Sequence, residues 1–458
     1  MPGKALPGRP GNLTPEQEEK LRQLWTRIFE VCGIAVEIEG TSDVAAVNDK
    51  EEAGKPEKKK KRHLFSRKGK KDASDGDSAS TPATSLKEGE DDKYGHIKQF
   101  HETLASQSPD DIRATIWSML KHDHPDALVL RFLRARKWDV EKALVMLVST
   151  MNWRSKEMHV DDDIILQGEG GAVAIEDGTD EKSKVAHDFM AQIRMGKSFL
   201  HGVDKEGRPI CVVRVRLHKQ GQELEESLER YTVYIIETAR MMLQNGVDTA
   251  TIVFDMTNFS MANMDYTPVK FMIKCFEANY PECLGAVLVH KAPWIFQGIW
   301  RVIKGWLDPV VAGKVHFTNS MKDVEEFIPR NHIIKELEGE EDWEYKYVEP
   351  TPDENDKMND TVARDRLLAE REQLYRDFEQ NTVQWIQEPN GGAKAEREGI
   401  AEKLRVGYWV LDPYIRARSL YDRTGIIKEG GKLDYYPERA AAAPVESVAP
   451  AHSADDVD

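Results

Sequence analysis

Apolar positions along the chain change their spacing several times, and each change marks a different kind of element. In 13–33, LTPEQEEKLRQLWTRIFEVCG, the residues Leu21, Leu24, Trp25, Ile28, Phe29 and Cys32 recur at helical spacing. Thr14 suits the N-cap, Pro15 the first turn and Gly33 the end, so 1–35 reads as an arm and a helix. From 36 to 96 aromatics and periodicity give way to Lys, Glu, Ser and Asp, the composition of an insert that cannot bury enough surface to fold. Residues 97–190 return to short amphipathic helices opened by Pro109, Pro125 and Asp139, and 160–190 reads as an acidic, Gly-rich flexible loop. In 191–349 strand patterns take over: PICVVRVRL alternates, while TATIVFDM and CLGAVLVHK are almost wholly apolar and KVHFT is short. Helical stretches LEESLERYTVYIIETARMML and PVKFMIKCFEANYP separate them. That succession predicts an α/β fold with a mixed or parallel sheet covered by helices. Residues 350–439 add a linker, one long charged helix and an aromatic tail, and 440–458 reads as disordered.

One stretch, 290–317, HKAPWIFQGIWRVIKGWLDPVVAGKVHF, is richer in bulky apolar groups than a surface helix requires. Trp294, Phe296, Trp300, Ile303 and Trp306 recur at helical spacing over 293–309, interrupted by Gln297, Arg301 and Lys304. The stretch is too short for a comfortable membrane span, and Arg301 and Lys304 would lie at bilayer depth. Two readings stay open on pattern alone: a core helix, or a helix that lids a cavity and turns its tryptophans to a membrane interface.

Charge excludes one class of partner. The 64 basic against 80 acidic residues give −16, which argues against a general nucleic-acid binder. Locally the balance reverses: 55–71, KPEKKKKRHLFSRKGKK, holds ten Lys or Arg against one acidic residue. Such a run is a solvated linker, a nuclear-localisation-like patch, or an anchor to anionic lipid that phosphorylation of Ser66 would weaken. Cys32, Cys211, Cys275 and Cys283 form no CxxC pair and read as reduced, buried thiols. With no apolar leader and no run of 18 apolar residues, the expected location is cytoplasmic, peripherally associated with organelle membranes.

The common catalytic and nucleotide-binding motifs GxxxxGK[ST], GxGxxG, HExxH and GxSxG are missing from the sequence. Asp255, at the end of an apolar strand, and His290 and His316 are the residues an enzyme reading would need, though capping and structural roles suit them better. Arg131, Arg134, Arg136 and Lys137 crowd the end of one helix, where they either complement its dipole or form a phosphate or carboxylate site.

The segment LVLRFLRARKWDVEKALVMLVSTMNWR, followed by VDKEGRP, TIVFDM, ANYPECLGAVLVHKAPWIF and WLDPVVAGKV in that order, resembles the CRAL-TRIO family of lipid-binding proteins. Together with ALPGRPGNL at the start, the chain is similar to the fungal secretory-type phosphatidylinositol transfer proteins, as a larger paralogue carrying the 36–96 insert and a C-terminal extension. The resemblance implies a helical N-terminal lobe on an α/β lobe whose sheet floors a lipid cavity, with 293–309 as its gate. It places the headgroup contacts at Arg136, Lys137, Asp204, Glu282 and Lys314, and puts Val311 where the family has a phosphate-contacting threonine. Leu200, Cys211, Ile236, Ala250 and Ile252 stand where phosphatidylcholine carriers keep hydroxyls and tyrosines.

Those substitutions favour phosphatidylinositol over phosphatidylcholine. The expected function is binding and non-vesicular transfer or presentation of phosphatidylinositol, with no covalent chemistry, no cofactor beyond the lipid and no metal. Expected partners are an anionic membrane surface and a lipid kinase, for a monomeric protein. The alternatives are a lipid-gated scaffold that senses lipid and recruits partners, or a carrier of another hydrophobic ligand such as a sterol.

Overall fold

A computed structural model describes residues 6–36, 92–244 and 246–437. The polybasic run 55–71, Ser66, most of the insert and the 440–458 tail lie outside the described residues.

The N-terminal lobe is helical. Helix α1 (Pro15–Val31) starts on the expected N-cap Thr14, which forms a capping box with Gln17, each side chain capping the other's backbone. Helices α2 (His96–Ser106), α3 (Pro109–Leu120), α4 (Pro125–Ala135) and α5 (Val140–Asn152) follow. Proline occupies the first turn of α3 and α4, where no intrahelical N–H is lost. Their apolar stripes meet around Trp25, Phe29, Trp117 and Phe132.

The 160–190 segment is a correction to the loop expected there: it forms α6 (Ile165–Ile175), broken at Gly168, and α7 (Glu181–Arg194). Its acidic and glycine residues are used as an N-cap, Asp180, and as a close approach. Gly168 sits at φ 50°, and a Cβ there would meet Ala417 at 2.8 Å.

The α/β lobe contains strands β1 (Ser198–Val203), β2 (Pro209–Arg214), β3 (Ala250–Asp255), β4 (Leu284–His290) and β5 (Val315–Thr318), in the spatial order β1-β2-β3-β4-β5. The sheet is mixed: β1 pairs antiparallel with β2, and the rest pair parallel. Helix α8 (Glu225–Met241) crosses from β2 to β3, and α9 (Tyr266–Lys274) from β3 to β4. The stretch between β4 and β5 forms α10 (Phe296–Lys304) and α11 (Pro309–Ala312), so the helix expected over 293–309 is shorter, ending at Gly305. A short helix α12 (Met321–Val324) follows β5.

The structure adds elements to the aromatic tail. Past α13 (Thr361–Gln387) it folds into α14 (Ala393–Ile415) and α15 (Leu420–Arg423). Helices α13 and α14 pack into the N-terminal lobe, with Tyr375 stacked on Trp117 at 4.4 Å and Phe378 beside Trp25 at 5.8 Å. The residues beyond α14 then reach the open edge of the sheet. Tyr421 and Tyr436 accept hydrogen bonds from the β1 amides of Leu200 and Val203, at 2.8 and 3.1 Å, and so cap an edge that would otherwise invite another strand.

Candidate lipid site: a cationic chamber in front of an apolar cavity

The fold places four of the five expected headgroup residues around one chamber of about 1210 Å³, between the end of α4, α9, the turn before β4 and the α10–α11 segment. Arg136, Lys137, Glu282 and Lys314 line it; Asp204 does not. The turn 203–209 uses Asp204 internally: its carboxylate accepts from the backbone N–H of Glu206 and of Arg208, each at 2.9 Å, and from the Thr251 hydroxyl at 2.7 Å. That carboxylate is fully occupied, so Asp204 belongs to the frame.

The cations at the end of α4 divide by what they touch. Arg131 is buried and donates to the Glu282 carbonyl at 3.0 Å, fixing the turn that carries this residue. Arg134 pairs with Asp248 at 3.0 Å and donates to the Gly8 carbonyl at 2.8 Å, locking the N-terminal arm. Arg136 has no ion pair among the described residues; it donates weakly to His96 Nδ1 at 3.4 Å. Burial pulls its pKa below the usual guanidinium value, opposed by the nearby carboxylates of Asp308, Asp92 and Glu277. The same guanidinium, together with burial, keeps His96 neutral by pushing it down to about 4.

Backbone strain is concentrated here. Lys137, Trp138 and Glu282 adopt positive φ, at 52°, 67° and 56°. Side chains with a Cβ rarely accept this region, and such strain collects where a structure aims particular groups. Glu282 faces Lys314 across 4.0 Å, the partner its burial requires. Val311 lines the chamber with no hydroxyl to offer.

Behind the chamber lies an apolar cavity of about 230 Å³ between the sheet and α10. The two spaces share Ile273, Phe276, Leu284, Leu307 and Val311 as lining residues, so the cationic chamber and the apolar interior are neighbours separated by one layer of apolar side chains. Helix α10 has distinct faces. Phe296, Trp300 and Ile303 turn inward to line the cavity, with Trp300 edge-on to Phe317 at 5.3 Å. Trp294 is 85 % exposed, next to Ile295 and Val302, with Arg301 and Lys304 on the same solvent side. Trp306 sits at the chamber rim, edge-on to Tyr266, with Lys270 Nζ 4.9 Å from its ring. Of the five tryptophan and apolar positions expected to lid the cavity or meet a membrane, only Trp294 therefore stands free at the surface.

Glu277 ties this gate to the rest of the fold. Its carboxylate accepts from Tyr94 at 2.6 Å, from Lys93 at 2.7 Å and from the Asp308 amide at 2.7 Å, and Lys93 also donates to the Trp306 carbonyl. The sequence patterns did not single out Glu277, Lys93, Lys270 or Lys274. Lys270 and Lys274 carried the one readable signal, an i,i+4 pair of like charges on one helix face.

Leu200, Cys211, Ile236 and Ile252 are buried in one cluster and offer no hydroxyl or aromatic ring of their own, although the same cluster holds Tyr231, Tyr234 and Tyr421. Asp255 is buried and accepts from Arg216 and from the Thr257 amide at 3.0 Å, and His290 meets the Thr318 hydroxyl at 3.0 Å. Both are structural pairs. No helix among the described residues is long and apolar enough to cross a membrane, and no group of His, Cys, Asp or Glu there could hold a metal ion.

The lobes recovered here coincide with two family models: the CRAL/TRIO N-terminal domain matches residues 96–149, and the CRAL/TRIO domain matches 193–339. Similarity to whole proteins reaches further. The CRAL-TRIO domain-containing protein C3H8.02 of Schizosaccharomyces pombe is 42 % identical over 429 residues, covering 92 % of this chain and 92 % of that protein. The phosphatidylinositol transfer protein CSR1 of Eremothecium gossypii is 39 % identical over 449 residues, covering 93 % of this chain and all of that protein. The crystal structure of Sfh5 matches with a TM-score of 0.35 at 15 % identity over 49 % of this chain and 71 % of that one, a likeness on which nothing here rests. With a helical lobe, a mixed sheet and a lidded cavity in the matched segments, and such identity over nearly the whole length, the chain belongs to the CRAL/TRIO domain family.

Proposed function

We propose that this protein binds phosphatidylinositol and transfers or presents it between membranes without covalent chemistry. The observation that carries this reading is the adjacency of the cationic chamber to the apolar cavity under α10, with five lining residues in common. A phospholipid is one molecule with those two demands in that order. Arg136, Lys137 and Lys314 are set to hold the phosphodiester by charge-assisted hydrogen bonds, and Glu282 to accept from inositol hydroxyls. Two acyl chains carry on the order of 30 methylenes, whose exposure to water would cost tens of kcal/mol at about 0.8 kcal/mol each. Exchange between bilayer and cavity removes that barrier if the gate opens only at the membrane.

The cavity of about 230 Å³ falls below the usual 300–1,000 Å³ of ligand sites, so loading requires α10 to move. Trp294, Ile295 and Val302, flanked by Arg301 and Lys304, form the face that meets the bilayer interface as it does so. The similarity to a phosphatidylinositol transfer protein supports the ligand class. The buried apolar cluster at Leu200, Cys211, Ile236 and Ile252 supports rejection of phosphatidylcholine.

The test is transfer of labelled phosphatidylinositol between vesicles by the full chain. Arg136→Ala and Lys314→Ala should each reduce transfer by roughly ten- to a hundredfold, as expected for one charge-assisted contact of about 1.5–3 kcal/mol. Undiminished transfer by both variants, with native-like thermal unfolding, would remove the headgroup assignment.

A further inference from the structure

The chamber holds more positive charge than one phosphodiester can use. Eight basic side chains line it, Lys93, Arg134, Arg136, Lys137, Lys142, Lys270, Lys274 and Lys314, against four acidic ones. Three of the cations have local carboxylates: Arg134 with Asp248, Lys93 with Glu277 and Lys314 with Glu282. Arg136, Lys137, Lys270 and Lys274 enter no ion pair among the described residues. A diester contributes a single negative charge, whereas each monoester phosphate adds about 1.5 to 2 more.

The arrangement also has two sides. Arg136 and Lys137 come from the end of α4 and Lys314 from the residue before β5, while Lys270 and Lys274 come from α9, one helical turn apart. Like charges at i,i+4 repel and destabilise a helix unless an anion sits between them. Neither lysine enters an ion pair among the described residues, although Lys274 lies near enough to Glu229 to favour its charged form. Lys270 is partly steadied over the Trp306 ring at 4.9 Å, which places this second bank beside the gate.

We propose that the chamber is built for a polyphosphorylated inositol, in which Lys270 and Lys274 take a monoester phosphate across the chamber from the group held by Arg136, Lys137 and Lys314. The proposal rests on the reading of the protein as a phosphatidylinositol carrier and narrows its headgroup. A bare inositol ring would meet the second bank only through hydroxyls, which exploit little of its charge; a monoester offers three strong acceptor oxygens.

Two arms of one experiment distinguish a lipid headgroup from a soluble phosphate. In the first, the full chain extracts lipid from vesicles containing phosphatidylinositol and phosphatidylinositol monophosphate. In the second, the protein is titrated calorimetrically with soluble inositol trisphosphate. Wild-type protein should extract the monophosphate, and Lys270→Gln with Lys274→Gln should lower the ratio of monophosphate to phosphatidylinositol extracted by about tenfold, the loss of one charge-assisted contact. Lys270→Arg with Lys274→Arg should restore the ratio, which separates charge from folding. Trisphosphate binding that the double Gln variant loses, without monophosphate extraction, supports the same site with a soluble ligand. If wild-type protein moves phosphatidylinositol but binds neither phosphorylated probe, or if the double variant leaves the ratio unchanged, the inference falls while the carrier reading stands. If neither lipid is extracted and the trisphosphate is not bound, both fall.

Discussion

Two regions of this protein are dense in arginine and lysine, and they treat those charges in opposite ways. In and around the C-terminal extension most buried cations meet carboxylates, while Arg371 is satisfied by the backbone carbonyls of Leu404 and Lys121 at 2.6 Å each. Arg397 reaches Asp126 at 2.6 Å; Arg416 is clasped by Asp412 and Asp422 at 2.6 and 2.8 Å; Arg423 meets Glu169 and, at 2.9 Å, Glu354. In the chamber the part-buried Arg136 and the exposed Lys137 enter no ion pair among the described residues. A buried charge whose partner is supplied by the fold holds elements together; one left without a partner waits for an external anion. The contrast separates scaffold from site among residues of the same type.

The comparison breaks most sharply at the seam. Arg397→Ala leaves Asp126 buried with the Trp25 indole N–H, at 2.7 Å, in place of a counter-charge, and also removes the guanidinium stacked 4.2 Å from Trp385. Loss of about 3–5 kcal/mol is expected, read as a lower urea midpoint at unchanged slope. A shift under about 1 kcal/mol would mean that the extension is not integral to the N-terminal lobe.

Acid should act next. His96 titrates near 4 in the folded protein against about 6.5 unfolded, so below the unfolded value the unfolded chain binds a proton that the native state refuses. Stability contributed by neutral His96 is therefore complete above about pH 6.5 and declines as pH falls toward 4, by on the order of 1–3 kcal/mol. His96→Gln should flatten that part of the pH–stability curve. Arg136→Ala should raise the His96 pKa, measurable by NMR titration, because it removes the neighbouring like charge.

Smaller effects on stability sharpen the site. Arg136→Ala breaks no ion pair, so its stability change should stay within about 1 kcal/mol even though transfer collapses. Trp294→Ala, at a position 85 % exposed, should change stability by less than about 0.5 kcal/mol while slowing exchange with vesicles several-fold. Equal exchange rates for wild type and Trp294→Ala would return α10 to a purely internal role.

Much of the architecture was readable in sequence because it is written in local periodicity. The β3 and β4 strands are nearly continuous apolar runs, α1 announces itself with Thr14, Pro15 and Gln17, and the alternation of these patterns gives the mixed sheet. The readings failed where a side chain's partner is far along the chain. The stretch 160–190 looked like a loop because its glycines and acids carry no stripe. Yet Glu169 is buried against Tyr234, Tyr347 and Arg423, and Gly168 fits against Ala417. The aromatic tail had no elements assigned to it for the same reason: its partners are distant, with Tyr421 and Tyr436 finishing the β1 edge from more than 200 residues away.

The site divides along the same line. Arg131, Arg134, Arg136 and Lys137 form one cluster in sequence, and no local rule says which are structural; Asp248 and the Glu282 turn, brought up by the fold, decide it. Asp204 followed its motif but is consumed by its own turn and Thr251. Lys270 and Lys274 were visible only as a helical charge pair until the fold set α9 at the same chamber as Arg136. Sequence alone determined most of the elements and the amphipathic pattern of α10, since these follow from the spacing of apolar residues over one or two turns. Which charges are neutralised, which face of α10 is wet and which cations share a chamber were decided by tertiary structure, because Coulomb and desolvation terms depend on distance in space and on burial.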